Sequence, residues 1–288
     1  MSAEREIAES GSSEKKPDAR VLEFPKPGKI VIDRLSKTFE GAQTSKALDD
    51  ISLSVADGEF VCIVGPSGCG KSTALRIVAG LEKPSTGSVT ILASKPAERP
   101  LNTMVFQEHG LFPWLTVFDN IAFGLEMRGI RKKERIRRVE PFLELIGIAK
   151  FRNHYPHQLS GGMKQRASLA RAFVNDPEIL LMDEPFAALD AQNRVIMQQE
   201  LLRIWEHDKK TVLFITHSID EAIGLADRIV VMTSHPGRIR EIIPIEFARP
   251  RDLAELRGDP NFGALHVKVW RILEAEVAAS RQPDTESG

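Results

Sequence analysis

The feature that most constrains this 288-residue chain is the glycine-rich run at residues 65–72. The run reads Gly-Pro-Ser-Gly-Cys-Gly-Lys-Ser, which fits the pattern G-x-x-x-x-G-K-[S/T]. An apolar, strand-like run at 60–64 precedes it, and a helical pattern over 71–79 follows and stops at Gly80. The alternative is a tight glycine turn that binds no nucleotide, but the strand and the helix on either side favour a phosphate-binding loop. We therefore predict that the chain binds and hydrolyses ATP.

The loop supplies most of the predicted nucleotide contacts. Its backbone N–H groups and the positive end of the following helix suit a phosphate, while Lys71 reaches the β- and γ-phosphates and Ser72 ligates Mg²⁺. The predicted ATP-binding residues in this region are Gly65, Pro66, Ser67, Gly68, Cys69, Gly70, Lys71, Ser72 and Thr73.

Two carboxylates, Asp183 and Glu184, follow the strand-like run at 178–182. The carboxyl end of such a strand lies beside the phosphate loop in a parallel sheet. Asp183 is predicted to hold Mg²⁺, and Glu184 to polarise the attacking water as a general base. The alternative is that the pair merely begins a loop.

Ser160, Gly161 and Gly162 precede a helical pattern. The serine can cap this helix and the glycines leave its positive end open to an anion, which suggests a second phosphate-binding device. Taken alone, the same residues also suit an ordinary helix start.

Taken in order, these motifs resemble the ATP-binding cassette family over about residues 29–247. The set comprises the phosphate loop, Gln107, the Leu-Ser-Gly-Gly-Met signature at 159–163, the Asp-Glu pair, the Ala-Leu-Asp run at 188–190 and His217. The resemblance implies that Gln107 senses Mg²⁺ and the attacking water, and that His217 touches the γ-phosphate. Without the other motifs, Gln107 would be interpreted as a surface residue and His217 as a histidine at the end of a strand.

The resemblance also implies a dimer, because the signature of one chain faces the phosphate loop of another. Ser160, Gly161, Gly162 and Gln165 would then belong to the partner's ATP site, and Asp190 would couple the two halves. Phe39 stands where the family often has an aromatic residue that stacks on adenine, although a core position is an equal alternative.

The implied fold class is α/β, a P-loop NTPase (RecA-like) core with a parallel sheet, an antiparallel β subdomain and a helical subdomain at about 108–175. We expect a disordered tail at 1–27, a nucleotide-binding domain at 28–248, and a helical extension with a disordered end at 249–288. Strand-like alternation over 29–55 and helical spacing at 134–146 and 162–174 agree with this division.

The charge balance and the lengths of the apolar runs limit the kinds of partner and the cellular location that can be expected. Lysine plus arginine (39) nearly balance aspartate plus glutamate (40), so nucleic acid is not expected as a partner. No apolar run approaches the length that spans a bilayer, and the first residues do not resemble a secretory signal, so a cytoplasmic chain is expected. Cys62 and Cys69 are predicted to be free thiols.

Exposed-looking aromatics at 112–115 and at Phe118 suggest a surface for a membrane subunit, although packing within the helical subdomain is the alternative. The basic run at 131–138 suits a solvated helix face or anionic lipid. Stretches at 106–114, 186–191, 235–239 and 249–252 resemble importers of nitrate, sulfonate, taurine or bicarbonate.

We expect a peripheral homodimer on the cytoplasmic face of the inner membrane, bound to permease subunits and served indirectly by an extracytoplasmic solute-binding protein. A cassette ATPase acting on nucleic acid or ribosomes, and an exporter, are the alternatives. The first would usually carry two cassettes or a long coiled coil, and the second its own membrane helices.

Overall fold

The computed structural model describes residues 28–41, 44–93, 99–106 and 110–281. The predicted tail at 1–27, the predicted disordered end at 282–288 and Gln107 lie outside the described residues.

An antiparallel sheet of three strands opens the described chain. Its strands are β1 (Ile30–Phe39), β2 (Ser45–Val55) and β4 (Thr86–Ile91), in the order β2-β1-β4. One face of the sheet is apolar and buried, with Ile30 and Ile32 on β1 and Leu53 and Val55 on β2 in the same cluster. This alternation between a buried and a polar face is the pattern that predicted the strands.

A second sheet of six strands forms the centre, in the order β5-β6-β7-β3-β8-β9. Its strands are β3 (Phe60–Val64), β5 (Asn102–Val105), β6 (Ile179–Asp183), β7 (Thr211–Ile215), β8 (Arg228–Met232) and β9 (Ile239–Pro244). All neighbours are parallel except β8 and β9.

Both faces of this central sheet are covered, which explains its continuous apolar strands. On β3, Phe60 and Cys62 enter one buried cluster whereas Val61 and Ile63 enter the other. Helix α1 (Lys71–Val78) and the antiparallel sheet cover one face; α5 (Ala191–His207), α6 (Ile219–Leu225) and α8 (Pro260–Arg281) cover the other. Because β6, β7 and β3 are parallel neighbours, their carboxyl ends lie side by side at one edge of the sheet.

A helical layer adds a third apolar cluster. It contains α2 (Val117–Met127), α3 (Lys132–Leu145) and α4 (Gly161–Val174), with short 3-10 turns at Ala149–Phe151 and Pro156–Gln158. Leu125, Val139, Leu143 and Ala167 are buried within it. Together, the parallel core, the antiparallel sheet and the helical layer confirm the predicted fold class.

The surface loop before α2 departs in part from expectation. Phe118 is only 8% exposed and belongs to the core of the helical layer, so the expectation that it is exposed was wrong. Trp114, by contrast, is 70% exposed. The buried side chain of Asn120 holds this loop, since its amide donates to the carbonyls of Phe112 and Leu115 at 3.1 and 3.0 Å. The loop therefore has a rigid base and an exposed indole.

The C-terminal extension is packed on the core. A short helix, α7 (Leu253–Leu256), precedes α8, which buries Phe262 and Val269 in the central cluster. The buried guanidinium of Arg251 donates to the carbonyls of Gly224 and Ala226 at 3.2 and 2.8 Å, and burial lowers its pKa to about 10. These bonds satisfy carbonyls that the end of α6 leaves without helical partners.

Cys62 and Cys69 are both buried free thiols, as predicted, and burial raises the pKa of each. Within the described ranges, no helix combines the length and apolar character needed to cross a membrane.

Candidate nucleotide site

A cleft of about 450 Å³ opens at the edge where β3, β6 and β7 end. It collects residues from four separate segments of the chain. Its lining is Ala47, Ser67, Gly68, Gly70, Lys71, Ser72, Thr73, Glu184 and His217. The fold thus brings together most of the predicted ATP-binding residues with two of the predicted catalytic ones.

The glycine-rich loop takes a backbone path that larger residues resist. Gly68 and Gly70 have φ values of 79° and 91°, in the left-handed region. A Cβ on Gly70 would lie 2.5 Å from Leu48 Cδ2 and 2.7 Å from the carbonyl of Ala47, so the loop packs directly on β2. Only glycine allows both the turn and this approach.

Lys71 begins helix α1 and its ammonium lies inside the loop. Nζ donates to the carbonyl oxygens of Gly65 and Pro66, each at 2.8 Å, and the side chain is buried. The loop N–H groups and the positive end of α1 surround the same space. Phosphate oxygens entering the cleft would therefore meet one full charge and several backbone donors.

Ser72 and Asp183 form a pair beneath the loop. The hydroxyl of Ser72 donates to Asp183 Oδ1 at 2.9 Å, joining the start of α1 to the end of β6. Burial raises the pKa of Asp183, and the nearby charge of Glu184 raises it further. A hydroxyl and a carboxylate are oxygen donors that suit Mg²⁺, and a cation there would offset the cost of the buried charge. The residues present therefore fit this ion.

Glu184 and His217 face each other across the cleft. Nδ1 of His217 lies 3.2 Å from Glu184 Oε2. Glu184 has a φ of 47°, a left-handed conformation that is uncommon for a residue with a side chain, and its N–H donates to the carbonyl of Ile215 at 3.0 Å. Strained backbone of this kind clusters at functional sites.

The signature residues lie outside this cleft. The hydroxyl of Ser160 accepts from the N–H of Met163 at 3.3 Å and caps α4. A Cβ on Gly161 would meet no atom within 4 Å, so the described chain itself gives no steric reason for glycine there. Among the described residues, one chain does not bring the signature and the phosphate loop together.

Gln165 is predicted to belong to the partner's ATP site, and in this structure it lies inside the protein. Its side chain is buried, and the amide donates to the carbonyl of Pro185, directly after Glu184. The side chain is therefore turned into the protein, so a direct contact with a partner's ATP is not what this conformation presents. It joins α4 to the loop that carries the catalytic candidate.

Asp190 and Phe39 also stand apart from the cleft lining. Asp190 caps α5 by accepting from Asn193 N at 2.9 Å, and this bond and the Asn193 amide lower the pKa of Asp190. Phe39 is 42% exposed, with the ammonium of Lys37 4.9 Å from its ring centroid. The phenyl group is thus at the surface rather than in the core.

Sequence reasoning missed several residues around the site. Ala47 lines the cleft because β2 pairs with the end of β1, and its carbonyl accepts from Gly237 N at 3.0 Å. Glu221 and Gln198 form a buried pair behind His217, and the partly exposed Arg194 lies beside them. The pattern Ser-x-x-Glu at 218–221, typical of a helix start, was a readable signal for α6.

Comparisons with known proteins agree with this geometry. A family model described as ABC transporter matches residues 48–187. An uncharacterised ABC transporter ATP-binding protein of Methanocaldococcus jannaschii is 50% identical over 255 residues, covering 88% of this chain and 94% of that protein. An aliphatic sulfonates import ATP-binding protein of Bacillus cereus is 43% identical over 249 residues, covering 85% of this chain and 96% of that protein.

A similar solved structure is the dimeric, post-hydrolysis state of an ATP-binding cassette bound to ADP and phosphate. Its TM-score is 0.66 at 33% identity, and the match covers 76% of this chain and 100% of that one. The cleft and the fold thus define a nucleotide-hydrolysing cassette with a P-loop core. The chain belongs to the ATP-binding subunits of the ABC transporter family, and the prediction that it is an ATPase is confirmed.

Proposed function

We propose that the chain is the energy-coupling subunit of a membrane importer, and that it hydrolyses ATP as a dimer bound to permease subunits. The observation that carries the hydrolytic part of this proposal is the convergence of two pairs, Ser72 with Asp183 and Glu184 with His217, beside Lys71 in one cleft. Phosphoryl transfer needs charge neutralisation and an oriented water rather than covalent chemistry. Lys71 and a cation held by Ser72 and Asp183 would supply the first, and Glu184 with His217 would supply the second.

Binding is assigned to the loop and to the residue pair beneath it. Lys71 and the loop N–H groups hold the β- and γ-phosphates, while Ser72, Asp183 and Gln107 are the proposed ligands of Mg²⁺. When bound, the ion neutralises phosphate charge as it develops. Gln107 is included among these ligands only because of the family resemblance, since it lies outside the described residues.

The hydrolytic step is assigned to Glu184. As a general base it would accept a proton from the attacking water, and His217 would hold the carboxylate through the 3.2 Å contact and touch the γ-phosphate. The left-handed backbone at Glu184 supports this assignment, because such strain persists where surrounding structure enforces it.

The signature supports a dimer. Ser160 and the two glycines after it are separate from the cleft of their own chain, and the open space at Gly161 suits a phosphate from a second copy. Gln165 would then position the loop at Pro185 rather than touch the partner's nucleotide. Asp190, at the exposed start of α5, would couple the two halves.

Import is proposed from the relatives and from the surface. The Bacillus relative is named as an aliphatic sulfonates import subunit, and Trp114 offers an exposed aromatic side chain on a rigid base. We extend the proposal to a nitrate, sulfonate, taurine or related small-anion importer on the cytoplasmic face of the membrane, with a separate solute-binding protein. Phe39 is the proposed adenine-stacking residue.

The variant Glu184→Gln tests the proposed hydrolytic centre. It keeps the shape of the side chain but cannot accept a proton, so kcat should fall by at least about 100-fold while ATP affinity changes little. Size-exclusion chromatography with ATP and Mg²⁺ should show this variant as a trapped dimer. Hydrolysis at the wild-type rate would remove Glu184 as the base, and a monomer at saturating ATP would contradict the dimer.

A further inference from the structure

A buried carboxylate outside the cleft, that of Glu221 on α6, joins two loops of the site. Thr216 Oγ1 donates to its Oε2 at 2.6 Å, and Gln198 Nε2 donates to its Oε1 at 2.9 Å. Burial raises the pKa of Glu221, whereas the hydroxyl and the amide lower it. Both carboxylate oxygens are therefore used, and their partners come from different elements.

One side of this group leads to His217. Thr216 is the residue directly before the histidine, and its N–H donates to the carbonyl of Ile63 at 3.2 Å on β3, the strand that enters the phosphate loop. Its hydroxyl also accepts from Ser218 N at 2.9 Å, on the far side of the histidine. Glu221 thus accepts from the Thr216 hydroxyl, and that hydroxyl links the residue before His217 to the residue after it.

The other side leads to Asp190. Gln198 lies on α5, the helix that Asp190 caps. Arg194, one turn nearer the cap, places Nε 3.9 Å from Glu221 Oε1 and donates from Nη2 to the carbonyl of Leu189 at 2.9 Å. The Gln198 hydrogen bond and the longer Arg194–Glu221 ion pair therefore connect α5 to the residue before His217 through Glu221.

A purely structural role is the simpler explanation to test. Helices α5 and α6 must pack on the central sheet, and apolar side chains of similar size would do so without the cost of burying a carboxylate. The bonds made by Glu221 therefore join α5 to the residue before His217 in a way that packing alone does not require.

We propose that Glu221 is a positioning residue that couples Asp190 to His217, so that a displacement of α5 is transmitted to the imidazole beside Glu184. The inference rests on the proposed function, since Asp190 receives such a displacement only if it contacts a second copy of the chain. Glu221 itself does not line the cleft, and its action is on the orientation of His217.

A double-mutant cycle on ATP hydrolysis by the full chain tests the coupling. Glu221→Gln keeps the shape and an acceptor for Gln198, but it places an amide donor where a carboxylate oxygen accepts from Thr216. The Thr216 hydroxyl must then turn to accept this bond instead of donating it, so kcat should fall about tenfold with ATP affinity unchanged. In this background, Asp190→Ala should cost at least about threefold less in kcat than it costs in the wild type. Equal losses in both backgrounds, or no loss in either, overturn the proposal.

A second pair of variants covers the case in which Glu221→Gln does not fold. Thr216→Val removes the hydroxyl at nearly constant shape and should reproduce the loss of kcat. Thr216→Ser keeps the hydroxyl and should therefore keep most of the wild-type kcat. The control on the same helix is Asp220→Asn, which alters an exposed carboxylate and should leave kcat unchanged. A loss with Thr216→Ser as large as with Thr216→Val overturns the proposal, because the hydroxyl would not be the group that matters.

The outcomes also separate this inference from the proposed function. If the wild-type chain hydrolyses ATP and Glu184→Gln does not, but the cycle is additive, only the role of Glu221 fails. If Glu184→Gln hydrolyses ATP like the wild type, the proposed catalytic centre fails and the role of Glu221 fails with it. Thermal unfolding of every variant shows whether a loss of kcat reflects loss of the fold.

Discussion

At the scale of single residues, the site is built from groups that are costly for the fold. Asp183 is a buried carboxylate beside a second carboxylate, Lys71 is a buried ammonium, and Glu184 has an unfavourable backbone conformation. Such features destabilise a protein unless a ligand offsets them. Their presence in one cleft is therefore better explained by nucleotide chemistry than by packing.

Burial of the Asp183 carboxylate lowers the stability of the folded chain, so we predict that Asp183→Asn raises it. Because its folded pKa is raised, the stabilising contribution of this carboxyl is full at low pH and is lost as pH rises through the folded pKa. The amide carries no charge and still accepts from Ser72, so at neutral pH the unfolding midpoint of the nucleotide-free variant should lie a few degrees above that of the wild type. Below about pH 3 the gain should vanish, because the wild-type carboxyl is then protonated in both the folded and the unfolded state.

Differential scanning calorimetry across this pH range measures the effect, with ATP hydrolysis assayed in parallel and expected to be lost. Asp33→Asn is the matched control, since Asp33 lies on the exposed part of β1 and should show no such gain. A midpoint for Asp183→Asn at or below the wild-type value at neutral pH would contradict the prediction.

At the scale of elements, the helical layer shows how one short segment combines a core and a surface. Phe118 was expected at the surface but packs inside, whereas Trp114, four residues earlier, is exposed. The difference arises at Thr116, which caps α2 by accepting from Asp119 N at 3.1 Å and so sets the start of the helix. Residues after the cap follow the buried face of α2, and residues before it follow the loop that Asn120 holds.

Trp114→Glu should separate membrane recruitment from hydrolysis. With 70% of the indole exposed, the change should leave the unfolding midpoint and basal ATPase near wild type. If the indole docks on a permease, the fraction of chain that sediments with permease-containing membranes should fall at least about tenfold. Trp270→Glu is the control, because that indole is 54% exposed on α8. Equal loss in both variants, or in neither, would contradict a dock at Trp114.

At the scale of the whole molecule, the described chain contains two segments that are proposed to bind phosphate and that do not meet. The phosphate loop lines the cleft at the end of β3, whereas Ser160 caps α4 in the helical layer. A complete site under the proposed function therefore needs two chains, each giving a different half. This arrangement predicts complementation between chains that are inactive by themselves.

Mixing Lys71→Ala chains with Gly161→Asp chains should restore hydrolysis. The first variant lacks the phosphate lysine and the second places a carboxylate where the partner's phosphate is proposed to bind; the described chain has room for it. Random mixing makes about half of the dimers mixed, each with one intact site, so activity should approach roughly a quarter of the wild-type value. Mixing Lys71→Ala with Glu184→Gln is the control and should restore nothing, since both damage the same half. No recovery in the first mixture would contradict the composite site.

The sequence by itself determined the elements whose signal is local. The loop at 65–72 carries its own glycines and lysine, and the strands β3, β6, β7 and β8 are continuous apolar runs because both of their faces are buried. The sequence analysis did not identify the strands β4, β5 and β9, which are short or partly exposed and pair with distant strands. It also missed the helices α2, α6 and α7, although the start of α6 carries a local capping pattern. Non-local pairing leaves little trace in a short window of residues.

Only the tertiary structure decided which side chains meet. The pairing of Ser72 with Asp183 spans 111 positions and that of Glu184 with His217 spans 33, and both arise because β3, β7 and β6 are neighbours in the sheet. The inward turn of Gln165 and the buried bonds of Glu221 depend on how helices pack on that sheet, which no local pattern encodes. The sequence thus specified the phosphate loop itself, and the strand order placed the acid and the histidine beside it.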